Sequence, residues 1–112
     1  MEFTEVQKKA FYEDGYVIFP SAVRDLMVRR ARKLINSHMG QNVVQQGRNP
    51  GLSDSPVITD LFNKTPIASL CESLVGEGNL VPTTSAAIKL NFPRGEENWQ
   101  VRGHLDLGNK LR

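Results

Sequence analysis

The chain has 112 residues, of which 39% are hydrophobic and 23% charged, and its formal net charge is +2. This balance is typical of one ordinary globular domain and excludes a disordered or fibrous protein. A net charge this small gives no reason to expect a nucleic-acid partner. The single cysteine excludes an intrachain disulfide, and no apolar run approaches the ~20 residues that span a bilayer. We therefore expect a cytoplasmic protein without a membrane segment.

The first elements predicted along the chain are a helix and a short strand. Thr4 and Gln7 have the spacing of a capping box, which predicts a helix over residues 4–14. Gly15 can end that helix in the left-handed conformation. The β-branched and aromatic run at residues 16–19 then predicts a strand.

The longest helix is predicted over about residues 22–38, with Ser21 as its N-cap. The basic run at residues 29–33 is interpreted as the solvated face of this helix, and a phosphate-binding patch is the alternative. His38 is expected in the last turn, where the helix dipole favours a cation. The apolar stripe of this helix consists of Val23, Leu26, Met27, Ala31, Leu34 and Ile35.

The sequence in the middle of the chain predicts a long polar loop followed by two more helical segments. Residues 40–56 are interpreted as the loop, and residues 57–63 as one or two helical turns. Thr65 followed by proline predicts the start of another helix, which ends at Gly76. Cys71 lies on its apolar stripe and is interpreted as a small hydrophobe. The stripe comprises Ile67, Leu70, Cys71, Leu74 and Val75.

After Gly78 the pattern changes to a period of two, which predicts strands at residues 80–81, 85–92 and 99–106. In the second of these strands, Lys89 and Asn91 share the polar face. Helices first and strands last predict an α+β fold. We therefore expect one partial domain over residues 1–112, with a helical region at 1–78, including the strand at 16–19, and the strands at 79–112.

The candidate metal ligands are His104 and Asp106. On a strand, residues two apart point to the same side, so an imidazole and a carboxylate can reach one ion. Together with one distant histidine, such a pair makes the 2-His-1-carboxylate triad of non-haem iron enzymes. A surface histidine and aspartate in a turn after a strand are the alternative interpretation.

Two stretches resemble the phytanoyl-CoA dioxygenase family of Fe(II)/2-oxoglutarate-dependent oxygenases. Residues 11–23 are similar to its opening, in which a helix ending in Asp-Gly-Tyr runs into a short apolar strand and then a long helix. Residues 87–93, followed by Trp99 and the His104-Leu105-Asp106 segment, are similar to the part that supplies its first two iron ligands. The two matches occur in the family's order and together extend over most of the chain.

The resemblance implies a double-stranded β-helix (jelly roll), here as its first strands only, with the helices packed outside. It also implies Fe(II) as cofactor, 2-oxoglutarate as co-substrate, and hydroxylation of a small organic or acyl substrate. His104 and Asp106 would bind the iron. In a barrel, the polar face of Lys89 and Asn91 would line the ligand cavity and contact the co-substrate; the alternative is that this face meets water. The family's distal histidine and late arginine have no counterpart in these 112 residues, so we expect a truncated and inactive oxygenase.

Two other interpretations stay open. One is a non-catalytic interaction module built from a truncated oxygenase fold, which self-associates through an open sheet edge. The other is an α+β domain that binds no metal.

Overall fold

The computed structural model describes residues 1–41 and 51–92, and over these ranges it contains four helices and no strand. The predicted α+β fold with the first strands of a jelly roll is therefore wrong for this part of the chain, which is helical. The predicted strand at 99–106 lies outside the described residues. The helices are α1 (Glu5–Asp14), α2 (Asp25–Gln41), α3 (Pro56–Asn63) and α4 (Pro66–Val75).

Residues 16–19 have the composition of a strand but have no pairing partner among residues 1–41 and 51–92. Their backbone makes no hydrogen bond within the described residues. Tyr16 and Ile18 are 64% and 74% exposed, respectively. The ring of Phe19 packs instead against that of Phe3, with their centroids 5.0 Å apart. A strand requires a neighbouring backbone to bond with, and β-propensity alone does not supply one.

Residues 85–92 show the predicted alternation without forming a strand. Ala86, Ile88 and Leu90 are half-buried, while Ala87, Lys89 and Asn91 are exposed. The backbone N–H of Ala86 donates to the carbonyl of Ser53 over 2.8 Å. In the part of the chain that the structure describes, residues 87–92 make no backbone hydrogen bond. The period of two therefore predicted which side chains are covered over residues 85–91, but not a ladder, and the alternation ends at Phe92, which is 38% exposed.

Helix α1 has both predicted ends. The hydroxyl of Thr4 accepts a hydrogen bond from the backbone N–H of Gln7 (3.2 Å), and the Gln7 side chain accepts one from the backbone N–H of Thr4 (2.9 Å). Gly15 ends the helix at φ 79°, where its N–H donates to the carbonyl of Phe11. The capping box and the left-handed glycine are thus confirmed.

The N-caps of α1 and α3 allow a matched comparison. Thr4 makes a side-chain capping bond, whereas Ser55 holds the equivalent position of α3 without one. We expect Thr4→Ala to lower the free energy of unfolding by about 1 kcal/mol, because the backbone N–H of Gln7 loses its acceptor. Ser55→Ala should change it by less than about 0.5 kcal/mol. Urea titration followed by circular dichroism measures both values, and equal losses would contradict the assignment.

Helix α2 begins later than predicted. Ser21 does not cap it but adopts a left-handed conformation (φ 58°), the only non-glycine residue among those described to do so. The chain turns there, and the carbonyl of Arg24 accepts the first helical bonds, from Met27 and Val28. The helix extends to Gln41 and therefore has His38 in its last turn, as predicted.

The three later helices pack in chain order, α2 on α3 and α3 on α4. Each contributes at least one of the buried apolar side chains, namely Ala31, Ile58 and Leu70. Thr59 is buried beside Ile58, and its hydroxyl donates to the carbonyl of Ser55. The predicted stripe of α2 faces this core except at its start, where Leu26 is 54% exposed. The predicted stripe of α4 lies opposite Phe3 and Phe19, and it ends at Val75, which is 53% exposed.

The remaining buried apolar residue is Phe3, which precedes α1. Its ring lies within 6.1 Å of the Phe11 ring, centroid to centroid, and its N–H donates to the hydroxyl of Ser73 on α4 (3.4 Å). Val6, within α1, is 79% exposed. Phe3 therefore connects the N-terminal segment to α4. Over residues 1–41 and 51–92, no helix has both the length and the apolar content to cross a membrane.

Candidate functional site

The predicted iron ligands, His104 and Asp106, lie outside the described residues. Within the described ranges, no three His, Cys, Asp or Glu side chains come together as a metal site. His38 lies in the last turn of α2, the position predicted for it. The Fe(II) site therefore stays a prediction.

Lys89 and Asn91 are both exposed, in the segment at residues 85–92, which is neither helix nor strand. Both side chains face away from the half-buried Ile88 and Leu90, as the alternation predicted. They share one face and are two residues apart, so a carboxylate could contact both of them. Their role toward a co-substrate stays a prediction.

Asn63, the last residue of α3, fixes the chain just before this segment. Its amide nitrogen donates to the carbonyl of Thr83 (2.7 Å), and its amide oxygen accepts from the N–H of Thr83 (2.8 Å). An asparagine side chain carries one acceptor and one donor group, so it can satisfy both backbone groups of one residue. This clamp, together with the bond between Ala86 and Ser53, places the segment that carries Lys89 and Asn91 beside α3.

No signal in the sequence identified this clamp. The sequence predicts Asn63 only as the end of a short helical turn. Thr83 lies 20 residues away, between two predicted strands. A helix-terminal asparagine commonly satisfies nearby backbone groups. Which backbone it meets is decided by tertiary packing.

A polar groove of about 460 Å³ lies between the N-terminal segment and the end of α4. Its carboxylates belong to Glu2, Glu72 and Glu77, and its cations are Lys8 and the N-terminal ammonium group of Met1. Lys8 forms an ion pair with Glu5, whose carboxylate oxygen lies 2.9 Å from the Lys8 ammonium nitrogen. The hydrogen bond to Glu5, followed by the attraction of its negative charge, raises the pKa of Lys8 above its ordinary value. The groove therefore holds a local ion pair at a solvated surface.

An apolar cavity of about 450 Å³ lies between two walls. One wall consists of the rings of Phe3, Phe11 and Phe19, and the other is the apolar stripe of α4. Cys71 is half-buried and lines this cavity, which agrees with its interpretation as a small hydrophobe. The α4 wall was predictable from its helical period, whereas Phe3 was not.

The exposed face of α2 is basic. Asp25 pairs with Arg29 over 2.7 Å. Arg32 and Lys33 are exposed, and they form no ion pair within the described residues. Together with Asn36 and Ser37 they border a shallow groove on the helix surface. This agrees with a solvated helix face.

No family model, curated protein or solved structure matches this chain.

Proposed function

We propose that this chain is an Fe(II)/2-oxoglutarate-dependent dioxygenase-like protein in which His104 and Asp106 bind iron. The observation that carries the proposal is the His104-Leu105-Asp106 sequence, with its two ligand types two residues apart. It is supported by the resemblance of residues 11–23 and 87–106 to the phytanoyl-CoA dioxygenase family.

His104 and Asp106 are ligand types that bind iron, but they are two ligands and the triad has three. Imidazole and carboxylate are the ligands of the 2-His-1-carboxylate triad, yet the 112 residues contain one other histidine, His38. His38 lies on α2, 66 positions before His104. Because two ligands bind a divalent ion weakly, we expect no turnover of 2-oxoglutarate by these 112 residues alone.

The residues of the chain that would serve a bound co-substrate are Lys89 and Asn91. When bound, Fe(II) with 2-oxoglutarate would supply oxidative hydroxylation of a C–H bond in a small organic or acyl substrate. The ammonium group of Lys89 is exposed and forms no ion pair within the described residues, so it is free to meet a carboxylate there. Asn91, on the same face, can add a hydrogen bond.

The test is anaerobic calorimetry with Fe(II), first alone and then with 2-oxoglutarate. We expect one iron per chain, and a loss of at least about tenfold in affinity in His104→Ala, because a ligand is removed. His38→Ala is the matched control and should bind iron as the unsubstituted chain does. Equal affinity in the unsubstituted chain and in His104→Ala would overturn the proposal.

A second candidate, a non-catalytic interaction module, is favoured by a different observation. The backbone of residues 87–92 makes no hydrogen bond within the described part of the chain, so its N–H and C=O groups can bond to another polypeptide, although the described residues form no sheet edge there. Val81, which precedes this segment in the chain, is 81% exposed. Self-association stays a prediction of this candidate.

Sedimentation velocity separates the two candidates. Association that rises with protein concentration, is abolished by Leu90→Lys, and is unaffected by Fe(II) would favour the module. Iron binding by a chain that stays monomeric would favour the oxygenase.

A further inference from the structure

We propose that a cationic groove between the start of α2 and the junction of α3 with α4 binds a small phosphate monoester. The groove measures about 410 Å³. Arg24, Arg30 and Lys64 line it, and no acidic side chain is among its described lining residues. The proposal rests on this one-sided charge and is independent of the iron site.

The three cations come from different parts of the fold. Arg24 directly precedes α2, Arg30 lies within that helix, and Lys64 follows the last residue of α3. Lys64 pairs with Asp60 over 3.0 Å. Arg24 and Arg30 are exposed and form no ion pair within residues 1–41 and 51–92. Like charges around one groove repel each other, and an anion bound between them removes that repulsion.

Two unpaired guanidinium groups favour a phosphate monoester over a carboxylate. A phosphate monoester carries about two negative charges at neutral pH, so one ligand group can balance both Arg24 and Arg30. Guanidinium groups also bind phosphate oxygens through pairs of parallel hydrogen bonds. The hydroxyl of Ser21 lines the same groove, makes no hydrogen bond within the described part of the chain, and can donate to a third oxygen.

The first turn of α4 borders the groove but does not supply its binding groups. The side chain of Thr65 accepts a hydrogen bond from the backbone N–H of Ile67 (3.4 Å), and Pro66 has no N–H to offer. The arginine side chains therefore determine the anion. The apolar side chains of Leu26 and Met27 also line the groove, so the rest of the ligand has a small apolar group to place beside them.

The test uses phenyl phosphate as the probe and phenyl sulfate as a matched anion with a single charge. The full chain is titrated in low salt while the backbone amide signals of Ala22 and Thr65, which line the groove, are followed by NMR. We expect a Kd on the order of 1 mM for phenyl phosphate. Phenyl sulfate should bind at least about fivefold more weakly, because it balances only one guanidinium group.

Arg24→Gln and Arg30→Gln should each weaken the binding of phenyl phosphate at least about fivefold, since each removes a charged donor. Arg32→Gln is the matched control. Arg32 is another exposed arginine of α2, but it borders the shallow groove elsewhere on the helix surface. Its substitution removes the same charge from the chain and should change the affinity by less than about twofold.

Three results would contradict the proposal. The absence of any shift with phenyl phosphate would mean that the groove does not bind this class of ligand. An equal loss of affinity in Arg32→Gln and Arg30→Gln would assign the binding to general attraction by the basic helix. Equal affinity for phenyl phosphate and phenyl sulfate would overturn the assignment to a doubly charged phosphate.

Discussion

Replacing Leu70 by alanine is expected to lower the free energy of unfolding by about 2–3 kcal/mol. Leu70 is 4% exposed, the least exposed of the four buried apolar residues in the described part of the chain. Leucine-to-alanine changes in cores cost about 2–5 kcal/mol, depending on the cavity that they leave. Because Leu70 borders the apolar space next to the phenylalanine rings, neighbouring side chains can relax into the volume that the truncation leaves, and this places the loss in the lower half of that range.

Val75→Ala is the matched control for this prediction. Val75 belongs to the same helix but is 53% exposed, so its truncation should cost less than about 0.5 kcal/mol. Urea titration of both variants gives the comparison. A loss below about 1 kcal/mol for Leu70→Ala would mean that the core at α4 contributes little to stability.

Replacing Asn63 by alanine is expected to lower the free energy of unfolding by about 1–3 kcal/mol, because it leaves two backbone groups of Thr83 without their partners. Thr83 is half-buried, so water replaces these bonds only in part. We also expect faster hydrogen exchange of the Thr83 amide, since its acceptor is removed.

Asn63→Asp separates the two bonds of the clamp. The carboxylate still accepts from the N–H of Thr83, but it cannot donate to the carbonyl, which it repels. The Asn63→Asp variant should therefore be less stable than the unsubstituted chain at neutral pH. Part of this loss should be recovered at acidic pH, where the protonated carboxyl group can again donate to the carbonyl of Thr83. Asn79→Ala is the control. The side chain of Asn79 makes one exposed hydrogen bond, to the carbonyl of Val75, so its removal should lower the free energy of unfolding only slightly. Unchanged exchange at Thr83 in Asn63→Ala would contradict the role of the clamp.

The sequence predicted the features that depend on neighbouring residues. The capping box of Thr4, the left-handed Gly15 and the start of α4 at Thr65 each follow from bonds within a few positions. The same holds for the alternating exposure of residues 85–91, which requires only a chain with one covered side.

The features that depend on distant partners were not predictable. The strand at 16–19 needed a neighbouring strand, and Phe19 found the ring of Phe3 instead. Phe3 was missed because it lies before the N-cap, and the hydrophobic staple that could have indicated its burial needs an apolar residue where Lys8 stands. The candidate iron ligands, His104 and Asp106, lie outside the described residues and stay predictions.

The attachment of α1 through Phe3 has a consequence for how the protein opens. Helices α2, α3 and α4 pack on one another in sequence, whereas α1 buries no residue of its own. Local unfolding follows such boundaries, so α1 would open as a separate cooperative unit before the other three helices. Its amide protons would then exchange earlier than those of the core helices. A protease that removes the first three residues would release α1, although it cuts no helix.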